Sequence, residues 1–328
     1  MPIFLLPLLF AVEIPVYQQP QIASNRRAIG IVYGAKNTIY YAHHQGAPVK
    51  VAEAPVLSLG NHRGPRIAFT ANAIIITAGI GPADQQYGPN TLRSWRSLDA
   101  SKTWTPGPDL STPGTGGMGF QAIASDGNAA LWAAWIGPRN GHPTLFAAHS
   151  EDAGLNWSKQ QVLSETVCEC CHPNIAISAD GTVRILFRNS VDGNRDLYQA
   201  ASRGGGPFAF TKLGQGSWPV NACPMDGGGL AEFEGKVVTL WRRQGDLYFA
   251  RPDGSAEERL AAGRNPALAL RKNGVYAVWS TPEGLMAQTP GRPAYLLSKT
   301  GAFPVITAQG PVIAAWEDNG KIRTERLD

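Results

Sequence analysis

The sequence predicts an all-β chain folded as a β-propeller of four-stranded antiparallel blades, and three observations carry that prediction. Glycine (37 residues) and proline (25) punctuate a chain in which only 16% of residues are charged, a balance that suits many short strands joined by tight turns and disfavours long helices. A strand–turn–strand unit recurs seven times along the chain, and self-similarity of this kind marks a repeat architecture. Between the third and fourth strands of two successive units the same eight-residue turn appears.

The units follow in order. First strands open at Pro20 (PQIA), Pro65 (PRIA), Gly119 (GFQAIA), Pro173 (PNIA), Met225 (MDGGGLA), Pro266 (PALAL) and Pro304 (PVITA), 38 to 54 residues apart, a spacing that fits four-stranded blades. Each is followed by a second apolar strand, often ending in Trp: IGIVYG, AIIITAG, ALWAAWIG, VRILFRN, KVVTLWRR, GVYAVWS and VIAAWED. Third strands such as TLRSWRS and DLYQAAS are more amphipathic, as expected where a blade widens from its buried centre to its wet rim. A weaker fourth strand follows in most units. The seventh unit stops before its fourth strand, so residues 12–17 (VEIPVY) are expected to supply that edge and close the ring. Seven blades is the count the repeat gives; six blades with one irregular unit and a β-sandwich are the alternatives.

Residues 2–12 (PIFLLPLLFAV) have the length of a signal-peptide apolar region and are too short to span a bilayer. The expected organisation is therefore a signal peptide over 1–12 and one propeller domain over 13–328, exported to the periplasm or the extracellular space. No Lys or Arg precedes the run and no small-x-small cleavage site follows it, which leaves a buried first strand or a misplaced start codon as alternatives. The net charge of +4 is spread without a basic block, so a nucleic-acid partner is not expected. A monomer with a mild bias toward anionic ligands is.

The repeated turn runs Ser97, Asp99, Ser101, Trp104 in one unit and Ser150, Asp152, Gly154, Trp157 in the next, with a degenerate copy from Ser202 to Phe208. Its Asp can accept backbone N–H bonds inside a hairpin turn, Gly or Ser tolerates the bend, and Trp fills the gap between strands. These residues staple a turn and form no catalytic carboxylate set. The pattern S-x-D-x-[GS]-x-x-W resembles the Asp-box of the sialidase-like superfamily of BNR-repeat proteins, where it falls between the third and fourth strands of a blade, as here. That resemblance implies the propeller fold. It implies an activity less directly, because one fold hosts many functions.

In a propeller, turns joining fourth to first strands and second to third strands share one face, and the Asp-box turns occupy the other. The first face collects Arg66, Arg188, Arg195, Arg242, Arg264, Asp192, Asp196, Asp226 and the cysteines, making it the candidate ligand surface. The resemblance implies an arginine clamp on a sugar carboxylate, a Tyr nucleophile assisted by Glu, and an Asp acid/base. Guanidinium forks suit the clamp. Arg66 resembles the Arg of the family's F/Y-R-I-P motif, although both flanking residues differ; Arg188, Arg195, Arg242 and Arg264 join it by placement. Rim ion pairing is the alternative for each. No Tyr/Glu pair can be assigned. Asp192 or Asp196 is the expected acid/base, or else a brace for Arg195.

Cys168, Cys170, Cys171 and His172 precede Pro173, and Cys223 holds the matching place before Met225. Disulfides pinning these loops are one expectation; a soft-metal site of thiolates with His172 or Met225, suited to Cu(I) or Zn, is another. The run also spells C-x-x-C-H, a haem-attachment string, but Pro173 commits the chain to a strand directly after it. The Cys-x-Cys-Cys segment resembles uncharacterised BNR-repeat proteins more than typical sialidases. Three functions follow from the residues and the resemblance: a glycoside hydrolase acting on sialic acid or another anionic sugar without a required cofactor, a non-catalytic glycan- or protein-binding propeller, and a cysteine-dependent metal-binding protein.

Overall fold

In a computed structural model, which describes residues 16–25, 27–82, 91–117, 119–250, 256–307 and 309–328, the chain is a seven-bladed β-propeller with no helix among those residues. Blade one holds β1 (Gln18–Ser24), β2 (Ile29–Ala35), β3 (Thr38–His43) and β4 (Val49–Glu53). Blade two has β5 (Val56–Leu57), β6 (Arg66–Phe69), β7 (Ile74–Gly81), β8 (Thr91–Ser97) and β9 (Thr105–Asp109). Blade three is β10 (Gln121–Ser125), β11 (Leu131–Arg139), β12 (His142–Ser150) and β13 (Gln161–Ser164). Blade four is β14 (Asn174–Ile177), β15 (Thr182–Arg188), β16 (Leu197–Arg203) and β17 (Ala209–Lys212). Blade five is β18 (Gly228–Phe233), β19 (Lys236–Arg243), β20 (Asp246–Ala250) and β21 (Glu257–Ala262). Blade six is β22 (Arg264–Arg271), β23 (Gly274–Thr281), β24 (Gly284–Gln288) and β25 (Tyr295–Ser298), and blade seven is β26 (Gly301–Thr307), β27 (Ile313–Asp318) and β28 (Lys321–Arg326). Strands within each blade pair antiparallel, and the seven inner strands fall where the repeat places them.

The ring closes between blades seven and one. Gln19 donates its backbone N–H and its side-chain amide to Glu317 Oε1 (2.6 and 3.0 Å), and the hydroxyls of Ser24 and Thr307 bond at 2.8 Å. Of the expected closing segment, Tyr17 donates to the Gly320 carbonyl in the β27–β28 turn at 3.0 Å; its first four residues, like the expected signal peptide, lie outside the described residues. No helix among the described residues is long and apolar enough to cross a membrane.

The core lies between blades, and the second-strand tryptophans explain why. Trp135 on β11 packs with Leu92 and Leu110 of blade two, Trp241 on β19 with Leu186 and Leu197 of blade four, and Trp279 on β23 with Leu240 and Leu247 of blade five. Trp316 on β27 repeats the arrangement against Val278 and Leu285 of blade six. In these four repeats a large ring at the same register therefore fills the wedge left by the preceding blade.

The two repeated turns fold alike on the face opposite the inner-strand starts. Ser97 Oγ accepts the Ser101 N–H (2.9 Å) while Asp99 accepts the N–H and hydroxyl of Thr103 (2.9 and 2.6 Å). In the next blade Ser150 Oγ accepts the Gly154 N–H (3.0 Å) and Asp152 accepts the N–H and amide of Asn156 (2.8 and 2.7 Å). These bonds, those from Thr103 foremost, hold the Asp99 carboxyl down at about 2. Trp104 and Trp157 pack into the cores beneath. Ser150→Ala removes one buried acceptor and is expected to cost about 1 kcal/mol, read as a lowered denaturant midpoint with ligand binding unchanged.

Candidate functional site

The opposite face is shaped by how the inner strands begin. In β1, β22 and β26 a bulge sets two residues against one: Gln19 and Pro20 face Tyr33, Asn265 and Pro266 face Trp279, Phe303 and Pro304 face Trp316. The residue before each proline has φ of 56°, 53° and 52°. Left-handed backbone at a non-glycine residue is strained, and proline's preference for an extended predecessor adds to it; bulges re-aim side chains at such places. Blade two departs further. Its inner strand is split, with β5 pairing to the far end of β7 and β6 to the near end. Residues 58–65 loop out between them through positive φ at Gly60 (83°), Asn61 (51°), His62 (65°) and Gly64 (113°), and this loop carries His62 to the axis.

At the axial mouth the His62 and His172 rings lie 4.7 Å apart at 33°, and Phe303 meets His62 edge-on at 5.0 Å. The Asn265 side chain acts on the His62 ring in the sense that favours its protonated form. Gly227 permits the close approach of the next blade, since a Cβ there would sit 2.5 Å from His172 Nε2. His62, His172, Arg66 and Asn265 line this end of an axial cavity of about 330 Å³. His62 Nε2 is buried and has no hydrogen-bond partner among the described residues. Burial first, then the charges of Arg66 and Arg264, push His62 down to about 4 against the opposing pull of the Asn265 side chain. Burial, His62 and Arg66 push His172 well below the usual histidine range. With both shifts downward, the neutral form of each ring is the favoured one at physiological pH.

The arginines do other work than a clamp requires. Arg66 donates to the carbonyls of Gln121 (3.0 Å), Gly64 and Pro65 (both 3.2 Å) and His62, tying blade two to blade three. Arg188 is 1% exposed and donates to the carbonyls of Arg195 (2.6 Å), Arg242 (3.0 Å) and Asp226 (3.3 Å), tying blade four to blade five over the face of Trp218. Backbone carbonyls thus meet the donors of both guanidiniums. Arg242 bonds the Gln244 carbonyl (2.6 Å) and also lies over the Trp218 ring (5.4 Å). Arg195 pairs with Glu169 at 3.3 Å, and Arg264 is exposed at the start of β22.

Neither expected acid/base carboxylate reaches the mouth. Asp192 is exposed in the hairpin turn 191–194 with φ of 50°. Asp196 braces Trp218 rather than Arg195, accepting the Trp218 N–H (2.8 Å) and pairing with Lys212 (3.1 Å). The loop 83–90 with Asp84 and Tyr87 lies outside the described residues.

A third carboxyl of that face, Asp226, is 1% exposed. Its Oδ2 accepts the Asn265 N–H (3.0 Å) and lies 3.8 Å from Arg242, while Oδ1 has no partner among the described residues. Asp226 thus sits one layer behind the cavity wall, bonded to the backbone of the lining residue Asn265. The available signal was register: Asp226 follows Met225, the first-strand start of the fifth unit. Burial raises it to about 6 against the lowering by the Asn265 bond and by Arg188, Arg242 and Arg264. A carboxyl raised on folding stabilises fully below its unfolded value and loses that contribution as pH rises through about 6. Relative to Asp226→Asn, the wild-type protein is expected to lose roughly 2–3 kcal/mol between pH 4 and pH 7.5, measured by urea midpoints at both.

The cysteines converge. Cys168 Sγ lies 3.5 Å from Cys170 Sγ and 3.4 Å from Cys171 Sγ, all three residues are buried, and no disulfide joins them. Their sulfurs fall within 4.8 Å of one another, close enough to hold a metal ion. Bonds from Cys170 and Cys171 pull Cys168 well below the usual thiol range. Cys223 is exposed beside them, with Glu169 at 3.5 Å. His172 turns instead to the Pro173 carbonyl (3.2 Å) and the axial cavity.

No family model and no curated protein matches the sequence. Solved structures do. A protein of unknown function from Dyadobacter fermentans DSM 18053 is similar at 16% identity over 79% of this chain and 92% of that one, with a TM-score of 0.55. The alpha-L-arabinanase of Penicillium chrysogenum, solved with arabinobiose, is 11% identical over 95% and 93% of the two chains, with a TM-score of 0.55. The alpha-L-arabinofuranosidase of Fusarium graminearum, also solved with arabinobiose, is 11% identical over 81% and 88%, with a TM-score of 0.52. At these identities the similarity is one of fold.

Proposed function

We propose that this chain is an exported carbohydrate-binding propeller that takes an anionic sugar at its axial mouth. The observation that carries the proposal is the cluster of His62, His172, Arg66 and Asn265 at one end of the axial cavity, where His62 Nε2 is buried without a partner among the described residues and a turn of the ring would present it to a ligand. An unmet buried polar atom costs about 1–3 kcal/mol, which a sugar hydroxyl would relieve, since a neutral imidazole nitrogen can donate or accept. The cavity, about 330 Å³, lies in the range of small-molecule sites. The charges of Arg66, Arg188 and Arg264 act on the two neutral rings, and such a field favours a sugar that carries a carboxylate, sialic and uronic acids among them. Two propellers of this fold hold arabinobiose, which supports a sugar as the ligand class without selecting one.

Glycosidases of the usual kind flank the bond with two carboxyl groups, and among the described cavity residues the carboxylate is Glu232, at the far end. Binding is therefore preferred to hydrolysis. Hydrolysis, which needs no cofactor, is the second reading and is favoured by Asp226, a carboxyl held partly protonated near pH 6. The test is a glycan array followed by calorimetry. Acidic sugars are expected to bind, and His62→Ala or Asn265→Ala to weaken them at least about tenfold with little change in melting temperature. Failure of every acidic sugar to bind, or unchanged affinity in His62→Ala, would sink the assignment; fluorophore release from an acidic glycoside, lost in Asp226→Asn, would select hydrolysis.

A further inference from the structure

Apart from the axial mouth, the loop 165–173 brings three sulfurs together in the interior. Cys168, Cys170 and Cys171 are 0%, 7% and 0% exposed. With sulfur separations of 3.5 and 3.4 Å and none beyond 4.8 Å, a point in their plane lies no more than about 2.4 Å from each, close to the roughly 2.3 Å of a zinc–thiolate bond. A disulfide needs about 2.05 Å, so the trio is arranged around a point and not as a bonded pair. The charges of Arg195 and Arg188 act on Cys168 and Cys171 and would offset thiolate charge on deprotonation. Cys223, just before β18 of the next blade, stands at the surface and donates to Glu169 Oε1 at 3.5 Å, on the same loop as the trio.

We propose that Cys168, Cys170 and Cys171 bind one Cu(I) ion as a three-thiolate site, with Cys223 as the surface thiol through which the ion exchanges. Thiolate donors select soft ions. Structural zinc almost always takes four ligands in a tetrahedron, whereas the buried set here has three. Binding replaces thiol protons by the ion, so protons are released and no electron is transferred.

The test uses the full chain, reduced and desalted without oxygen, titrated with Cu(I) presented as its bicinchoninate complex. The expected result is withdrawal of one equivalent with proton release, and X-ray absorption showing sulfur neighbours only. Cys171→Ser should weaken binding on the order of 100-fold, while Cys223→Ser should slow uptake and leave the stoichiometry at one. Because a buried variant can fail to fold, alkylation of the wild-type protein gives a second readout: bound Cu(I) should protect three thiols from iodoacetamide and leave Cys223 reactive. Retention of less than a fifth of an equivalent, nitrogen or oxygen ligands in the absorption spectrum, unchanged affinity in folded Cys171→Ser, or a tighter four-sulfur zinc complex that includes Cys223 would each overturn the proposal.

Discussion

Arg188→Met is expected to lower the free energy of unfolding by about 3–5 kcal/mol. The methionine keeps an apolar stem against Trp218, but the carbonyls of Arg195, Arg242 and Asp226 lose the donors that now meet them. Buried acceptors left without donors carry the full desolvation penalty, and the loss falls at the joint between blades four and five. Arg264→Ala is the contrast: an exposed guanidinium at the start of β22 should change stability by no more than about 0.5 kcal/mol. A chevron or urea melt of the two variants separates them. Equal, small effects would mean that Arg188 is a rim charge after all.

Trp135→Ala should cost a similar amount, about 3–5 kcal/mol, for a different reason. Its indole is 0% exposed, stacks with Phe146 at 5.8 Å and 18°, and donates Nε1–H to the Thr115 carbonyl at 2.9 Å. Truncation opens a cavity between blades two and three and strands that carbonyl together. Trp135→Phe, which restores most of the volume and not the donor, should recover more than half of the loss. A melt in which Phe recovers nothing would place the energy in the hydrogen bond and not in the wedge.

Much of this fold was legible because a propeller writes its packing into the chain at fixed intervals. The prolines at 20, 173, 266 and 304 mark inner strands, and the tryptophans at 135, 241, 279 and 316 mark the inter-blade wedges, all at repeating register. The arginines were harder to read. Whether a guanidinium faces solvent or a carbonyl depends on what the neighbouring blade presents, and the carbonyls that hold Arg188 are 7 to 54 residues away. The delivery of His62 to the axis depends on the interruption of the inner strand between β5 and β6, which local propensity does not encode. Asp226 differs again: its elevated proton affinity comes from burial, a property of the closed ring and of no segment alone. The one local signal that leads to the mouth is the position just before each inner-strand proline, which yields Gln19, Gly64, His172, Asn265 and Phe303 together.

One face of the molecule carries the turn-stapling Asp and Trp residues, and on the opposite face the axial mouth is the proposed ligand site, reached through His62. A crystal structure of the protein soaked with an acidic monosaccharide tests that division most directly. The predicted result is a sugar at the axial mouth with a hydroxyl or carboxylate oxygen within hydrogen-bond distance of His62 Nε2 and Asn265. Density for the sugar at the Ser97–Trp104 or Ser150–Trp157 turns, with the mouth filled by water alone, would contradict it.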